Sequence, residues 1–133
     1  MTRDTQGTIK TFEDLDAWKF CVQIRRDISD LVKTFPQEEK FRLADQMIRA
    51  SRSVTANIAE GFGRFHYQEN IQFCRQARGS LYELIDHLHV ANEVEYLTSA
   101  AMATYRQKIL EAIKILNGFI RYICRAASKA LGN

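Results

Sequence analysis

At 133 residues, 46% apolar and 26% charged, the chain has the size and make-up of one globular domain with a buried core, which excludes an intrinsically disordered protein. One proline and six glycines are too few for a turn-rich β-protein, so long helices are expected. The net charge is only +3, but residues 1–39 hold six basic and eight acidic side chains, 40–78 seven and three, 79–105 none and four, and 106–133 six and one.

No apolar run approaches the roughly 20 residues of a membrane span. The opening Met1-Thr-Arg-Asp-Thr-Gln-Gly7 lacks a signal peptide's apolar core, so a cytoplasmic protein with no membrane partner is expected. Residues 1–11 are polar and read as a flexible tail, leaving 12–133 as a single domain. Thr11 or Asp14 can cap a first helix, along which Ala17, Cys21, Ile24, Ile28, Leu31 and Phe35 step by three and four residues. Pro36 closes it, because proline disfavours helical backbone in the residue before it. A second helix is expected from about Gln37 to Gly61 or Phe62, with Glu38 and Glu39 at its positive end. Gly61 and Gly63 would end it in the left-handed cap conformation.

Phe65-His66-Tyr67 reads as a short turn with exposed aromatics. A third helix follows with the seam Asn70, Cys74, Ala77, Leu81, Leu84, Leu88 and Ala91, and with Gly79 near its opposite side. The chain turns again near Glu95-Tyr96-Leu97, and Thr98 can cap a fourth helix whose seam is Ile109, Ile113, Leu116, Ile120, Ile123 and Ala127. Four heptad-like helices with short connections predict an all-α, up-down-up-down antiparallel four-helix bundle. Cys21, Cys74 and Cys124 have no CxxC spacing and fall on or beside apolar stripes, which suggests reduced core thiols.

The second helix carries two patterns at once. Ala44, Met47, Ser51, Val54 and Ile58 form its core stripe, while Gln46, Arg49, Ser53, Asn57, Glu60 and Arg64 form a polar ladder roughly 135° around the wheel. The string Gln-x-x-Arg-Ala-x-x-Ser-Val-x-x-Asn-Ile-Ala-Glu-Gly-x-x-Arg, from Gln46 to Arg64, resembles the signature of the bacterial four-helix-bundle proteins also called ribosomal-RNA intervening-sequence proteins. These are similar to the accessory protein of diversity-generating retroelements. Phe12-Glu-Asp-Leu-Asp-Ala-Trp18 resembles the family's opening, Phe35-Pro36 with Glu38, Glu39 and Phe41 its first turn, and Ala77-Arg-Gly-Ser-Leu-Tyr-Glu83 its third-helix motif. The resemblance implies the bundle fold and a ring-forming homo-oligomer, commonly a pentamer. It also implies nucleic acid, and a reverse transcriptase or another protein, as partners.

Two readings of the distinctive residues stand open. In one, the ladder Gln46, Arg49, Ser53, Asn57, Glu60, Gly61 and Arg64, with Gly79, Ser80 and Glu83 of the third helix, is an interface in which Arg49 or Arg64 pairs with Glu60 or Glu83 to lock helices or subunits together. In the other, Arg42, Arg49, Arg52, Arg64, Arg75 and Arg78, with Lys114, Arg121 and Arg125 of the fourth helix, neutralise the phosphates of RNA or DNA, and Phe65, Tyr67 and Tyr122 stack on unpaired bases. Nothing resembles a base reader, so weak sequence preference is expected. The chain lacks a glycine-rich phosphate loop, a nucleophile elbow and HExxH, so no enzyme is expected. His87 and His89 lie about 200° apart on a helix and Glu83–His87 is not the Glu-x-x-His of a di-iron bundle, so neither metal nor cofactor is expected. The function expected is therefore a nucleic-acid-binding accessory of a ribosomal-RNA intervening sequence or mobile element. The alternatives are a protein–protein scaffold and, remotely, a small-molecule site within the bundle.

Overall fold

A computed structural model describes residues 9–132 of the chain. Four α-helices account for most of them: α1 Asp16–Val32, α2 Leu43–Gly63, α3 Tyr67–Glu93 and α4 Ser99–Gly132, with no strand among the described residues. Each helix packs on two others, α1 on α2 and α4, and α3 on α2 and α4. The diagonal pairs do not meet. The α2–α3 seam is the most extensive and the α1–α4 seam the thinnest.

The core is built by the expected stripes. Met47, Ile58, Leu81, Leu84, Leu88 and Leu116 are completely buried, and Ile28, Val54 and Ile109 nearly so, because their three-and-four spacing points them all at the centre. A one-turn helix over Phe12–Asp14 precedes α1. Thr11 and Asp14 serve this turn and not α1: the Asp14 carboxylate accepts from the Lys10 and Thr11 amides at 2.8 and 3.2 Å, and these bonds hold its pKa below the usual value. The expected tail lies mostly at residues 1–8, outside the described residues.

α2 starts later than the sequence reading placed it. Gln37–Glu39 form a separate single turn, and Arg42, at φ −123° and ψ −110°, breaks the helical path, so α2 begins at Leu43. Glu39 still serves the new helix, because its carboxylate accepts from the Leu43 amide at 3.2 Å and from the Tyr96 hydroxyl at 2.6 Å. Tyr96 in turn stacks obliquely on the buried Phe35, centroids 5.1 Å apart, so the α1–α2 and α3–α4 connections are locked together. Thr98 caps α4 as expected, its hydroxyl accepting from the Ala101 amide at 3.1 Å.

The expected glycine cap of α2 is also corrected. α2 runs through Gly61 and Gly63, and the left-handed residue is Phe65, φ 54°. Gly61 is needed for another reason. A Cβ there would lie 2.8 Å from Asn70 Oδ1 and 2.9 Å from Phe73 Cβ, so its absence lets α2 and α3 approach closely. Cysteine placement divides as well. Cys21 and Cys74 are buried, which pushes both thiols up to about 12, but Cys124 is exposed, because it follows the buried Ile123 by one residue and so lies about 100° around α4.

Candidate functional site

The polar ladder lies along the side of α2 that borders α3. At its centre Ser53 is half-buried, accepts from Asn57 Nδ2 at 3.0 Å through Oγ and meets the Ser80 hydroxyl of α3 at 3.0 Å. Asn57 Nδ2 also donates to the Ser53 carbonyl at 2.9 Å. One turn further on, Gly61 gives α3 its close seat. Ser53, Asn57, Gly61 and Ser80 therefore form one α2–α3 clasp made of small and neutral polar groups.

The charged rungs behave differently from the expected helix-locking pairs. Arg64 bonds Glu60 at 2.9 Å and Arg49 bonds Asp45 at 2.8 Å, each within α2, while Glu83 pairs with His87 at 2.9 Å within α3. Every pair has i,i+4 spacing, and the two arginine pairs are well exposed, a class worth about 0–1 kcal/mol. None of these pairs joins the two helices. Among the described residues, the ladder charge seen to contact α3 is Arg64, which lies over the Phe73 ring, 5.1 Å from its centroid. Gln46 is exposed at the far end of the ladder, and Gly79 faces open space on the outer side of α3.

The cationic candidates fall on three helices. Arg42, at the start of α2, and Arg49 and Arg52 within it are exposed, as are Arg64 at its end, Arg75 on α3, and Lys114, Arg121 and Arg125 on α4. Since α2 and α4 do not touch, their basic rows occupy different sides of the bundle, with α3 between them on one flank. Arg78 is set apart from the rest. It is half-buried and donates to Asn117 Oδ1 at 2.7 Å, so it ties α3 to α4. No acidic residue follows Glu111, so nothing on the last half of α4 offsets Arg121, Arg125 and Lys129.

Several contacts were not legible in the sequence. Arg25 of α1 donates to the buried Thr55 of α2 at 2.9 Å, and Lys108 of α4 reaches Asp27 of α1 at 3.3 Å. Both partners sit beside the apolar stripes, where periodicity gives the face but not the pairing. A surface groove of about 620 Å³ opens along the thin α1–α4 seam, lined by Phe20, Ile24 and Ile115 and crossed by the Lys108–Asp27 pair. Among the described residues, no three His, Cys, Asp or Glu side chains converge as metal ligands would, and no helix is long and apolar enough to cross a membrane.

Phe65 is exposed as expected, but its backbone conformation is a second feature that the sequence left unmarked. Left-handed backbone costs an L-residue about 1–2 kcal/mol, and glycine or asparagine usually occupies such a position. Here a phenylalanine takes it while 88% exposed.

The order of these motifs agrees with a comparison against protein families: the family model for the 23S rRNA-intervening sequence protein matches residues 13–118, most of the chain. The chain belongs to the 23S rRNA-intervening sequence protein family. Among solved structures it is similar to the crystal structure of a protein of unknown function from the S23 ribosomal protein family of Bacteroides thetaiotaomicron. The TM-score is 0.73 with 23% identity over 79% of this chain and 95% of that one, a likeness that carries the fold alone. Comparison with curated proteins returned no match. The family match contains the whole clasp and ladder but stops short of Arg121, Tyr122 and Arg125. Arg121, Arg125 and Lys129, which have no acidic neighbour on α4, thus lie beyond the matched region.

Proposed function

We propose that this protein is a non-enzymatic, cytoplasmic, self-associating helical bundle that binds nucleic acid with little sequence preference and acts as an accessory to a ribosomal-RNA intervening sequence or mobile element. The observation that carries this reading is the exposed row Lys114, Arg121, Arg125 and Lys129 on a helix segment with no acidic residue. Cations held at helical intervals without counter-charges suit a phosphate backbone, and rigid placement of the row reduces the entropy lost on binding. Membership of a family named for an rRNA intervening sequence supports the same direction.

The reading includes an up-down-up-down course for the helices. It is supported by contacts that run in opposite senses along neighbouring elements: Asn92 reaches Ser99 while Arg78 reaches Asn117, and Ser53 meets Ser80 while Gly61 faces Asn70. It also includes assembly of copies, a pentamer being the expected number, which would repeat the basic row around one face and sum its field. A reverse transcriptase or another protein of the same element would be the further partner. The second reading, a protein-interaction scaffold, is favoured by Gly79, whose bare backbone on the outer face of α3 leaves space for a neighbour.

Fluorescence anisotropy of labelled RNA and DNA over a salt series tests the proposal. Binding should weaken linearly on a log–log salt plot, and the combined reversal Lys114→Glu, Arg121→Glu and Arg125→Glu should reduce affinity at least about tenfold and flatten the slope by roughly three. Absence of binding at low salt would remove this function and leave the scaffold reading.

A further inference from the structure

The α2–α3 connection has an aromatic residue where neither turn geometry nor packing calls for one. Phe65 sits in left-handed backbone, and its ring, 88% exposed, has Phe62 as its ring neighbour at a centroid distance of 6.5 Å. A glycine would make the same turn without strain, and a polar side chain would expose less apolar surface. Tyr67, the first residue of α3, is 46% exposed, so two aromatic faces project from one short turn.

Arg64, next to Phe65, is paired with Glu60, and unpaired cations lie further along the helices that meet at this end. Arg75 is exposed about two turns along α3, and Arg78 fastens α3 to Asn117. Just beyond Asn117, α4 displays Arg121, Tyr122 and Arg125, all exposed. Glu69 is the acidic residue of α3's first turn, and it stands against this group of arginines. Phe41, at 84%, is as exposed as Phe65, but its ring is already covered by Lys40, whose Nζ lies 5.5 Å from the centroid. Its connection includes Glu38 and Glu39, and the Glu39–Tyr96 bond brings that turn to the one bearing Glu93 and Glu95.

Exposed aromatic faces beside a track of cations match one ligand chemistry well: unpaired bases joined by phosphates, whose faces are free to stack. A duplex keeps its base faces stacked inside and would use only the cations. We propose that the α2–α3 turn is a stacking platform for single-stranded nucleic acid, with Phe65 and Tyr67 receiving bases while Arg75, Arg121 and Arg125 follow the backbone. This rests on the nucleic-acid reading above and adds the strand state to it.

The test uses the full chain with a single-stranded oligonucleotide bearing one 2-aminopurine, and a duplex of equal length, both titrated at low salt. The wild type should bind the single strand more tightly and change its 2-aminopurine fluorescence on binding. Phe65→Ala with Tyr67→Ala should lower single-strand affinity by about tenfold or more and abolish the fluorescence change. The same variant should leave duplex affinity unchanged, and Phe65→Trp should retain single-strand binding. Single-strand affinity equal to wild type in the double variant would overturn the platform while the basic-face function stood. If the double variant instead sedimented as a smaller species than wild type, the turn would be a contact between copies, and the platform would fall. If neither oligonucleotide bound the wild type, the broader function would fail and the platform with it.

Discussion

At Gly61 an added methyl group would meet Asn70 Oδ1 at 2.8 Å, Phe73 Cβ at 2.9 Å and the Asn70 carbonyl at 3.1 Å, whereas at Gly79 it would meet nothing within 4 Å. The same substitution should therefore act in opposite directions. Gly61→Ala forces α2 and α3 apart and should destabilise the bundle by about 1–3 kcal/mol, the usual range for overpacking. Gly79→Ala should stabilise the isolated chain by about 1 kcal/mol through helix propensity. Denaturant melts of both variants check the pair. If Gly79→Ala is more stable as a monomer yet no longer self-associates, the outer face of α3 is where copies meet. The Glu39–Tyr96 bond gives a second residue-scale prediction. The Tyr96 hydroxyl and then the Leu43 amide hold the Glu39 carboxyl below its ordinary 4.5, and the Glu39 carboxylate pushes the Tyr96 phenol up to about 12. The depressed carboxyl contributes stability above its unfolded value and loses it as pH falls through the lower folded value. The raised phenol contributes below its unfolded value and loses its share as pH rises through about 12. Tyr96→Phe should therefore melt below wild type near about pH 7, with the gap closing under acid once Glu39 is protonated in both.

At the scale of elements, the parts that could be read in advance were those set by burial. The stripes Ala17–Ile28, Cys74–Leu88 and Ile109–Ile123 line the core because three-and-four spacing and burial are one constraint seen from two sides. The start of α2 was hidden, because Arg42 breaks the helix through its backbone angles, which no residue type between Gln37 and Leu43 announces. Cys124 shows the resolution of a stripe. One residue past Ile123 is enough to move a thiol from the core to solvent. The ladder was legible as a face but not as bonds, since Arg49 and Arg64 each paired with the acidic residue four before it instead of reaching across to α3. The left-handed residue after α2 was missed because Gly61 and Gly63 offered a cheaper site for it, and Gly61 turned out to be required for the approach of α3. The Ser53–Ser80 contact that joins the ladder to α3 depends on the crossing of two helices, which no single-helix periodicity encodes.

At the scale of the whole molecule, charge and packing are both lopsided. Basic residues crowd α2, the start of α3 and the end of α4, whereas 79–105 has acidic residues only, so the bundle has a strongly polarised charge distribution behind its small net charge. Packing is unequal in a different way: α3 is gripped on both sides, while α1 leans on α2 and meets α4 along the thin seam where the groove opens. That seam joins the first helix of the chain to the last. Closing it ties up the longest loop in the molecule, so its contacts cost the most chain entropy and return the least buried surface. The bundle is thus expected to behave as a firm α2–α3–α4 unit with α1 as a leaf that opens first under native conditions. Native-state hydrogen exchange should find the amides of Asp16–Val32 exchanging through a lower-energy opening than those of Tyr67–Glu93. A uniform rate across the four helices would instead mean that the molecule opens all at once.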